Sequence, residues 1–427
     1  MLYSAGIHIY QGLLKIAALK NRKAARMLAG RKEALSRLRQ ALGSPEYLGE
    51  HPEARPVWVH AASLGEFEQG RPLMERIRRE HPGVKIVLSF YSPSGYEVRK
   101  NWEGADAVVY LPGDTPQAMR RFLEAVHPRM AVIVKYEFWG NMLRQLQQMG
   151  VPTYLISGIF RPDQKFFKSG PMSGTFRKML GRFTHLFVQD ERSRRLLRGI
   201  GIKDVTVAGD TRFDRVTDIM RTTRSIPELD RFTRGGTRLT LMVGSSWGPD
   251  EAVYFPWLKR NPDSLLAVIA PHEFDAARLE KMKAQLAPEV KAVLLSEARE
   301  RPELLDTANC LIIDCFGLLS SAYRYANIAY VGGGFGVGIH NINEAAVYSI
   351  PVIFGPNHSK FLEAGDLIRA KGGFEVRNEA DFRKIMEKKL LKTPLRKEAG
   401  EAAGTYIKNK LGATDLIYKQ LQELLTF

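Results

Sequence analysis

Residues 57–80 read VWVHAASLGEFEQGRPLMERIRRE. A short apolar run, VWV, gives way to small residues and then to a basic, helix-like segment. This is a strand feeding a helix through a tight turn. Glu66 follows Gly65 at the join, where the strand ends and the helix begins. A carboxylate there can cap the helix. It can also act as a general base, because no Lys or Arg lies closer than Arg71 to neutralise it. Gly65 lacks a Cβ, so the chain is expected to turn freely there and face the carboxylate outward.

The same strand-then-helix pattern recurs along the chain. Apolar runs follow at KIVLSF, AVVYLP, AVIV, TYLIS, HLFVQ and VTVAG, with helical patterns such as PQAMRRFLEAVH between several of them. Strands alternating with helices predict a parallel sheet covered on both faces. Asp218–Arg238 lacks a strong strand signal and carries Pro227 and the Gly235–Gly236 pair, so it reads as a linker. The pattern then restarts at LTLMVG, LLAVIA, AVLL, CLIID, IAYVGG and PVIFG.

The expected organisation is a membrane-proximal helical region over 1–40, an α/β domain over 41–217 and a linker over 218–238. A second α/β domain follows over 239–393, and a terminal helical segment over 394–427 packs back on the first domain. Two doubly wound, Rossmann-like domains facing a central cleft are the GT-B architecture, with ligands expected at the carboxyl ends of the strands.

The chain of 427 residues suits two domains, and its 44% apolar content excludes a disordered protein. Cys310 and Cys315 fit neither a disulfide nor a metal-ligand spacing and read as buried, reduced thiols. A net charge of +17 requires an anionic partner: nucleic acid, membrane or a phosphorylated substrate. Residues 1–40 carry nine Lys/Arg against the single acid Glu33. In that segment the positive charges follow the apolar part, which is not the order of a signal peptide. His8, Gln11, Lys15 and Arg22 interrupt the apolar run too often for a membrane span. Their spacing puts them near one face of a helix, as in a helix lying at a membrane interface with its basic side against lipid phosphates. A helix packed on the protein's own body is the plainer alternative.

Three strand-end loops in the second half are glycine-rich: Gly244–Ala252 (GSSWGPDEA), Asp314–Leu319 (DCFGLL) and Val331–Ala346 (VGGGFGVGIHNINEAA). Such turns expose backbone N–H groups at a helix start and favour phosphate. None is a Walker A loop, and the spacing does not fit G-x-G-x-x-G. Tight turns account for any one of them, but less well for three in one domain. Glu344, one turn into a helix, has the place of an acid that accepts hydrogen bonds from ribose hydroxyls, or of a helix-start acid favoured by the dipole. In the first half, Glu137 in VKYEFWGN ends a second strand on the same edge as Glu66. The stretch Phe160–Gly170 interleaves Arg161, Lys165 and Lys168 with Phe160, Phe166 and Phe167, which suits an anionic lipid as well as a nucleic acid. A solvated loop is the usual outcome for such a run.

WVHAASLGEFEQGRPL, LSFYSPSGYE, VIVKYEFWGN, VGSSWGPDE and YVGGGFGVGIHNINEAAVYSIPVIFGP together resemble the 3-deoxy-D-manno-octulosonic acid (Kdo) transferases, in order and over nearly the whole chain. The resemblance implies a GT-B enzyme on the cytoplasmic face of the inner membrane of a Gram-negative-type bacterium. It implies transfer, with inversion, from CMP-Kdo to an acylated, phosphorylated disaccharide, a lipid A precursor. Glu66 then corresponds to the general base and Glu137 to a supporting carboxylate, with Ser63 and Gly65 beside the acceptor together with Arg161, Lys165 and Lys168. Gly338, His340, Asn341 and Glu344 match the stretch that holds CMP, with Glu344 on the ribose. Phe316 and Gly317 match the loop beside the cytidine phosphate, and Ser245 and His272 complete the donor set. Two positions depart from the family pattern: Lys135 stands where an acid is frequent, and Pro271 where an arginine is usual. Phosphate neutralisation then falls to other cations, with Lys360 and Lys135 the candidates. No Asp/Glu/His cluster suggests a metal, so neither metal nor other cofactor is expected. Two other readings compete: a sugar-nucleotide epimerase of the same fold, and a basic nucleic-acid-binding protein. The second explains the charge but not two strand-end carboxylates and three glycine loops.

Overall fold

The computed structural model describes residues 2–170, 173–223, 225–235, 237–336 and 338–426. The chain forms two compact units, Met1–Arg215 with Leu411–Phe427, and Val216–Lys410. The first holds β1 (Val57–Ala61), β2 (Ile86–Phe90), β3 (Ala107–Tyr110), β4 (Met130–Val134), β5 (Thr153–Gly158), β6 (His185–Val188) and β7 (Val205–Val207). These form one seven-stranded sheet in the order β3-β2-β1-β4-β5-β6-β7, every pair parallel.

A parallel sheet is covered on both faces, so its strands are apolar throughout rather than alternating. All five residues of β1 are buried. Trp58 packs with Val87, Ala131 and Ile133 on one face. Val57 and Val59 pack with Ile86, Leu88 and Val132 on the other. The helix Arg22–Leu42 starts at an Asn21 cap, stops at Gly43 and buries Ala24, Met27, Ala34, Leu38 and Leu42. Gly30 on this helix admits the Tyr110 ring of β3, since a Cβ there would lie 2.4 Å from it.

The last segment of the chain completes the first unit. Asp214 accepts hydrogen bonds from the Gly412 and Thr414 amides at 2.8 and 2.7 Å. The helix Ala413–Leu421 then delivers Ile417 and Leu421 into the cluster that contains Val57 and Val59.

The second unit holds β8 (Thr240–Ser246), β9 (Leu266–Pro271), β10 (Ala292–Leu294), β11 (Cys310–Ile312), β12 (Ile328–Val331), β13 (Val352–Phe354) and β14 (Gly373–Glu375). Its sheet is also seven-stranded and parallel, in the order β10-β11-β9-β8-β12-β13-β14. The stretch 218–238, read as a linker, contains the last five residues of the helix Arg212–Thr222 and all of Pro227–Thr233. Cys310 is buried in β11, with its thiol pushed up to about 12 by burial, whereas Cys315 is half-buried rather than fully enclosed. Both are free thiols.

The first helix, Leu2–Ala18, differs from expectation in which face it turns outward. Gln11 points inward, where it accepts from Arg31 Nη1 at 3.3 Å. Tyr3 and Ser4 anchor the same inner face on Asp114 and Asn141. Ile9, Leu13 and Ile16 form an exposed apolar stripe, continued by Leu19. His8 and Lys15 are exposed to one side of that stripe. No helix among the described residues is long and apolar enough to cross a membrane.

Leu421 is fully buried, far along the chain from the strands it covers. Leu421→Ala is expected to lower unfolding stability by about 2–5 kcal/mol through transfer and cavity terms. A urea titration with tyrosine and tryptophan fluorescence checks this, with the loss carried by the transition of the first unit.

Candidate active site

In open parallel sheets a crevice opens where the strand order reverses, at the carboxyl edge. The first sheet reverses between β1 and β4, and the second between β8 and β12. The residues that end these four strands are those with the chemistry.

After β1 the chain reaches Ser63, which precedes the helix Leu64–Glu80 in extended conformation. Glu66 lies in the first turn, and its Oε2 accepts the Ala62 amide at 2.6 Å. The capping role is therefore real. It occupies one carboxylate oxygen, and among the described residues Oε1 accepts no protein hydrogen bond. Gly65 is helical, and a Cβ added there would meet nothing within 4 Å. The conformational freedom expected of it is not used; its missing side chain leaves open space beside Glu66.

After β4 the backbone enters a left-handed conformation at Lys135 (φ 66°), a costly one for a residue with a side chain. Its ammonium lies 5.5 Å from the centre of the Tyr136 ring. Glu137 follows. Its Oε2 accepts from Trp139 Nε1 at 2.6 Å and lies 3.2 Å from His60 Nε2. His60 is fully buried within β1, and its Nδ1 lies 2.9 Å from Ser89 Oγ, which accepts the Trp58 indole N–H at 2.9 Å.

The two carboxylates are driven in opposite directions. Burial raises the Glu66 carboxyl, and the neighbouring Glu137 charge raises it further, against the Ala62 amide, His60 and Lys135. Burial also pushes Glu137 up, but hydrogen bonding and charge from His60, with the Trp139 indole, overcome it and hold Glu137 below the usual range. Environments that push two titratable groups apart assign them separate tasks. Glu137 is favoured as a carboxylate, and Glu66 holds a proton more readily than an ordinary carboxyl.

The Phe160–Gly170 stretch is not the mixed aromatic and basic surface its sequence describes. Phe160 and Phe166 are buried in the core with Phe138, Phe176 and Phe183, at ring separations of 5.0 to 6.1 Å. Arg161, Lys165 and Lys168 face solvent, as do Pro162, Asp163, Ser169 and Gly170, while Phe167 is half-buried. Burial raises the Tyr136 phenol pKa, and Arg161 lowers it against Asp190, Glu66 and Asp210.

In the second unit Ser245 also takes a left-handed φ, of 54°. Its carbonyl oxygen comes so close to Gly332 that a Cβ there would lie 2.3 Å away. The loops after β8 and β12 are thus in backbone contact. Asp250 ties them: it accepts from the Trp247 amide at 3.0 Å, the Gly333 amide at 2.9 Å and the Tyr330 hydroxyl at 3.0 Å. Trp247 stacks on His272 (4.2 Å, 23°), and His272 adjoins His340 at 4.8 Å. Burial, then His272, lowers the His340 pKa, and the neutral ring accepts the Trp247 indole N–H on Nε2 at 3.4 Å. Glu344 accepts from Ser320 Oγ at 2.5 Å and Asn341 Nδ2 at 3.0 Å. Gly338 (φ 117°) turns the loop between the glycines and His340. Phe316, 85% exposed, touches Phe274 at 4.5 Å next to the left-handed Gly317. Ser245, His272, Gly338, His340, Asn341 and Glu344 therefore gather at the β8/β12 edge, and Phe316 with Gly317 join through Phe274.

His60, Trp139, Trp247, Asp250 and Ser320 also belong to these edges, and the sequence pattern does not mark them. Trp247 and Asp250 lie in a stretch already singled out for its glycines. A histidine inside an apolar strand carries no such signal.

Two doubly wound units, each with polar groups at its reversal edge, define the GT-B class of fold. The same architecture is found in a putative UDP-N-acetylglucosamine 2-epimerase from Listeria monocytogenes, 13% identical, with a TM-score of 0.59 over 87% of this chain and 98% of that one. Residues 36–215 match the family model described as 3-deoxy-D-manno-octulosonic-acid transferase. The chain is 27% identical over 361 residues to the 3-deoxy-D-manno-octulosonic acid transferase of Aquifex aeolicus, spanning 82% of this chain and 91% of that one. It is 24% identical to the transferase of the same name from Haemophilus influenzae, spanning 88% of each. Residues 36–215 thus carry the Kdo transferase family domain, and the chain is similar to Kdo transferases over most of its length.

Asp250→Ala removes the acceptor for three donors, at about 1–3 kcal/mol for each group left buried and unpaired. The Trp247 and Gly333 amides are expected to lose hydrogen-exchange protection together, with the first unit unaffected. Exchange resolved by peptide mass measures both.

Proposed function

We propose that this protein is an inverting glycosyltransferase that moves Kdo from CMP-Kdo to a hydroxyl of a lipid A precursor, in lipopolysaccharide core biosynthesis. The observation that carries the reading is the Glu66/Glu137 pair at the β1/β4 edge, driven apart in proton affinity, within the segment that matches the Kdo transferase model. In the proposed step Glu66 Oε1 takes the proton of the acceptor hydroxyl. The acceptor oxygen bonds to the anomeric carbon of Kdo on the face opposite the leaving group. The bond from that carbon to the CMP phosphate oxygen breaks, and CMP departs with the electron pair.

The second unit supplies the donor side. Backbone N–H groups of the glycine loops face the phosphate, and Glu344, already accepting from Ser320 and Asn341, takes the ribose hydroxyls. With Pro271 in place of a cation, Lys135 and Lys360 are the proposed sources of positive charge. On the acceptor side, Ser63 and Gly65 flank the base, and Arg161, Lys165 and Lys168 present charge to the substrate's phosphates. The helix Leu2–Ala18 is proposed to lie in the membrane interface with Ile9, Leu13 and Ile16 toward the lipid, on the cytoplasmic face.

Glu66→Gln keeps the shape and removes the base. Transfer to a tetra-acylated precursor is expected to fall by about 10²–10⁴-fold with CMP binding retained. Full activity in this variant would exclude Glu66 as the base. The acid limb of kcat/KM should lie above the ordinary carboxylate range, because the Glu66 pKa is raised. Glu137→Gln removes the negative charge that helps raise it, so that limb should move to lower pH. A limb that stays in place would separate the two carboxylates functionally.

A further inference from the structure

Arg31 is an enclosed cation without an anion. It projects from the helix Arg22–Leu42 and lies 5.1 Å over the centre of the Tyr91 ring. Nη1 donates to Gln11 Oε1. Nε and Nη2, the side-on edge of the guanidinium, are buried and have no hydrogen-bond partner, and the same holds for Gln11 Nε2. The Tyr10 and Tyr91 hydroxyls meet at 2.5 Å. Burial lowers the Arg31 pKa; the groups that oppose it are Tyr91, by charge and by a side-chain interaction too long or too bent to be a hydrogen bond to Nε or Nη2, then Tyr10 and Tyr110, with no carboxylate among them. Burying a charge without a counter-charge is expensive, and three enclosed donors left idle add to the cost.

We infer that Arg31, Gln11, Tyr10 and Tyr91 form a binding site for a phosphate monoester. Two oxygens of a phosphate fit the Nε/Nη2 edge side by side, as bidentate arginine contacts do. The third oxygen meets Gln11 Nε2 and a tyrosine hydroxyl. A carboxylate, with only two oxygens, would leave those donors unused. Tyr10 roofs the site from the outer helix and is itself exposed, so its ring is the part that swings to admit the ligand. The site is joined to the reacting centre: Tyr91 stacks on Trp139 (5.0 Å, 25°), whose indole N–H is bonded to Glu137.

A phosphate monoester can come from the phosphorylated acceptor or from a lipid of the bilayer, and two measurements on the full chain tell them apart. The first compares KM for a phosphorylated lipid A precursor with KM for its dephosphorylated counterpart; this arm rests on the proposed reaction. The second measures flotation on phosphatidylcholine vesicles containing phosphatidic acid, a monoester, or phosphatidylglycerol, a diester, at matched net charge; this arm needs no chemistry. For an acceptor phosphate, Arg31→Gln should reduce the KM preference for the phosphorylated acceptor about tenfold, the loss of one charge-assisted contact. For a bilayer phosphate, it should abolish the preference for phosphatidic acid instead. Tyr10→Phe, which keeps the ring and the packing, should shift the same ratio in the same direction by a smaller factor. If both ratios are the same in the intact protein and in both variants, Arg31 is a packing residue and the site is overturned. An intact protein that transfers nothing defeats the proposed reaction, while the vesicle arm still decides the site.

Discussion

The fourteen strands among the described residues all run parallel within their two sheets, and that constraint organises everything else. A parallel strand cannot return by a hairpin, so each is followed by a crossover, and every crossover leaves from the same edge of its sheet. Side chains scattered over hundreds of residues are thereby delivered to one edge per unit. Where the order reverses, the crossovers leave in opposite directions and the edge stays open. His60 and Glu66 at the end of β1 meet Glu137 after β4 for this reason, although about seventy residues separate them in sequence. Asp250 after β8 meets Gly333 after β12 in the same way.

The carboxylate pair shows how small differences in surroundings divide labour between like groups. Both are desolvated, and that alone would raise both. Glu137 receives donors from a fully buried histidine and an indole, so its charge persists. Glu66 receives one amide and faces that charge. His60 is itself fixed by a chain of hydrogen bonds through Ser89 to Trp58, in the interior of the sheet. The proton affinity of Glu66 is thus set partly by residues that lie behind it in the sheet.

The strands were legible because a strand buried on both faces is an uninterrupted apolar run, and thirteen such runs coincide with β1 to β13. The three-residue β14, Gly-Phe-Glu, escaped because its only apolar side chain is Phe374. Glu66, Glu137 and Glu344 were legible as acids at strand or helix ends. What was not legible is whatever depends on direction rather than pattern. The rings of Phe160 and Phe166 turn inward, which sequence order cannot show. Gln11 points into the body and Leu13 away from it, the reverse of what polarity suggests for a helix on its own. Asp250 reads as one more helix-start acid until the second loop arrives beside it.

The first helix joins two energies. Its inner face is held by side-chain hydrogen bonds from Tyr3, Ser4, Gln11 and Tyr10, each worth about 0.5–1.5 kcal/mol net. Its outer face leaves Ile9, Leu13 and Ile16 in water, and covering each would gain about 1.5–3 kcal/mol. The outer term is comparable with those hydrogen bonds, while Tyr3 and Leu14 add apolar packing on the inner side. A surface that covers the stripe could therefore compete with the protein body for the helix. Arg31 lies under the inner face, and its idle donors weaken that hold further. An anion drawn to Arg31 and an apolar surface drawn to the stripe would act on the same helix from opposite sides. A phosphorylated, acylated substrate carries both chemistries in one molecule, which is the combination this helix is built to meet under the proposed reading.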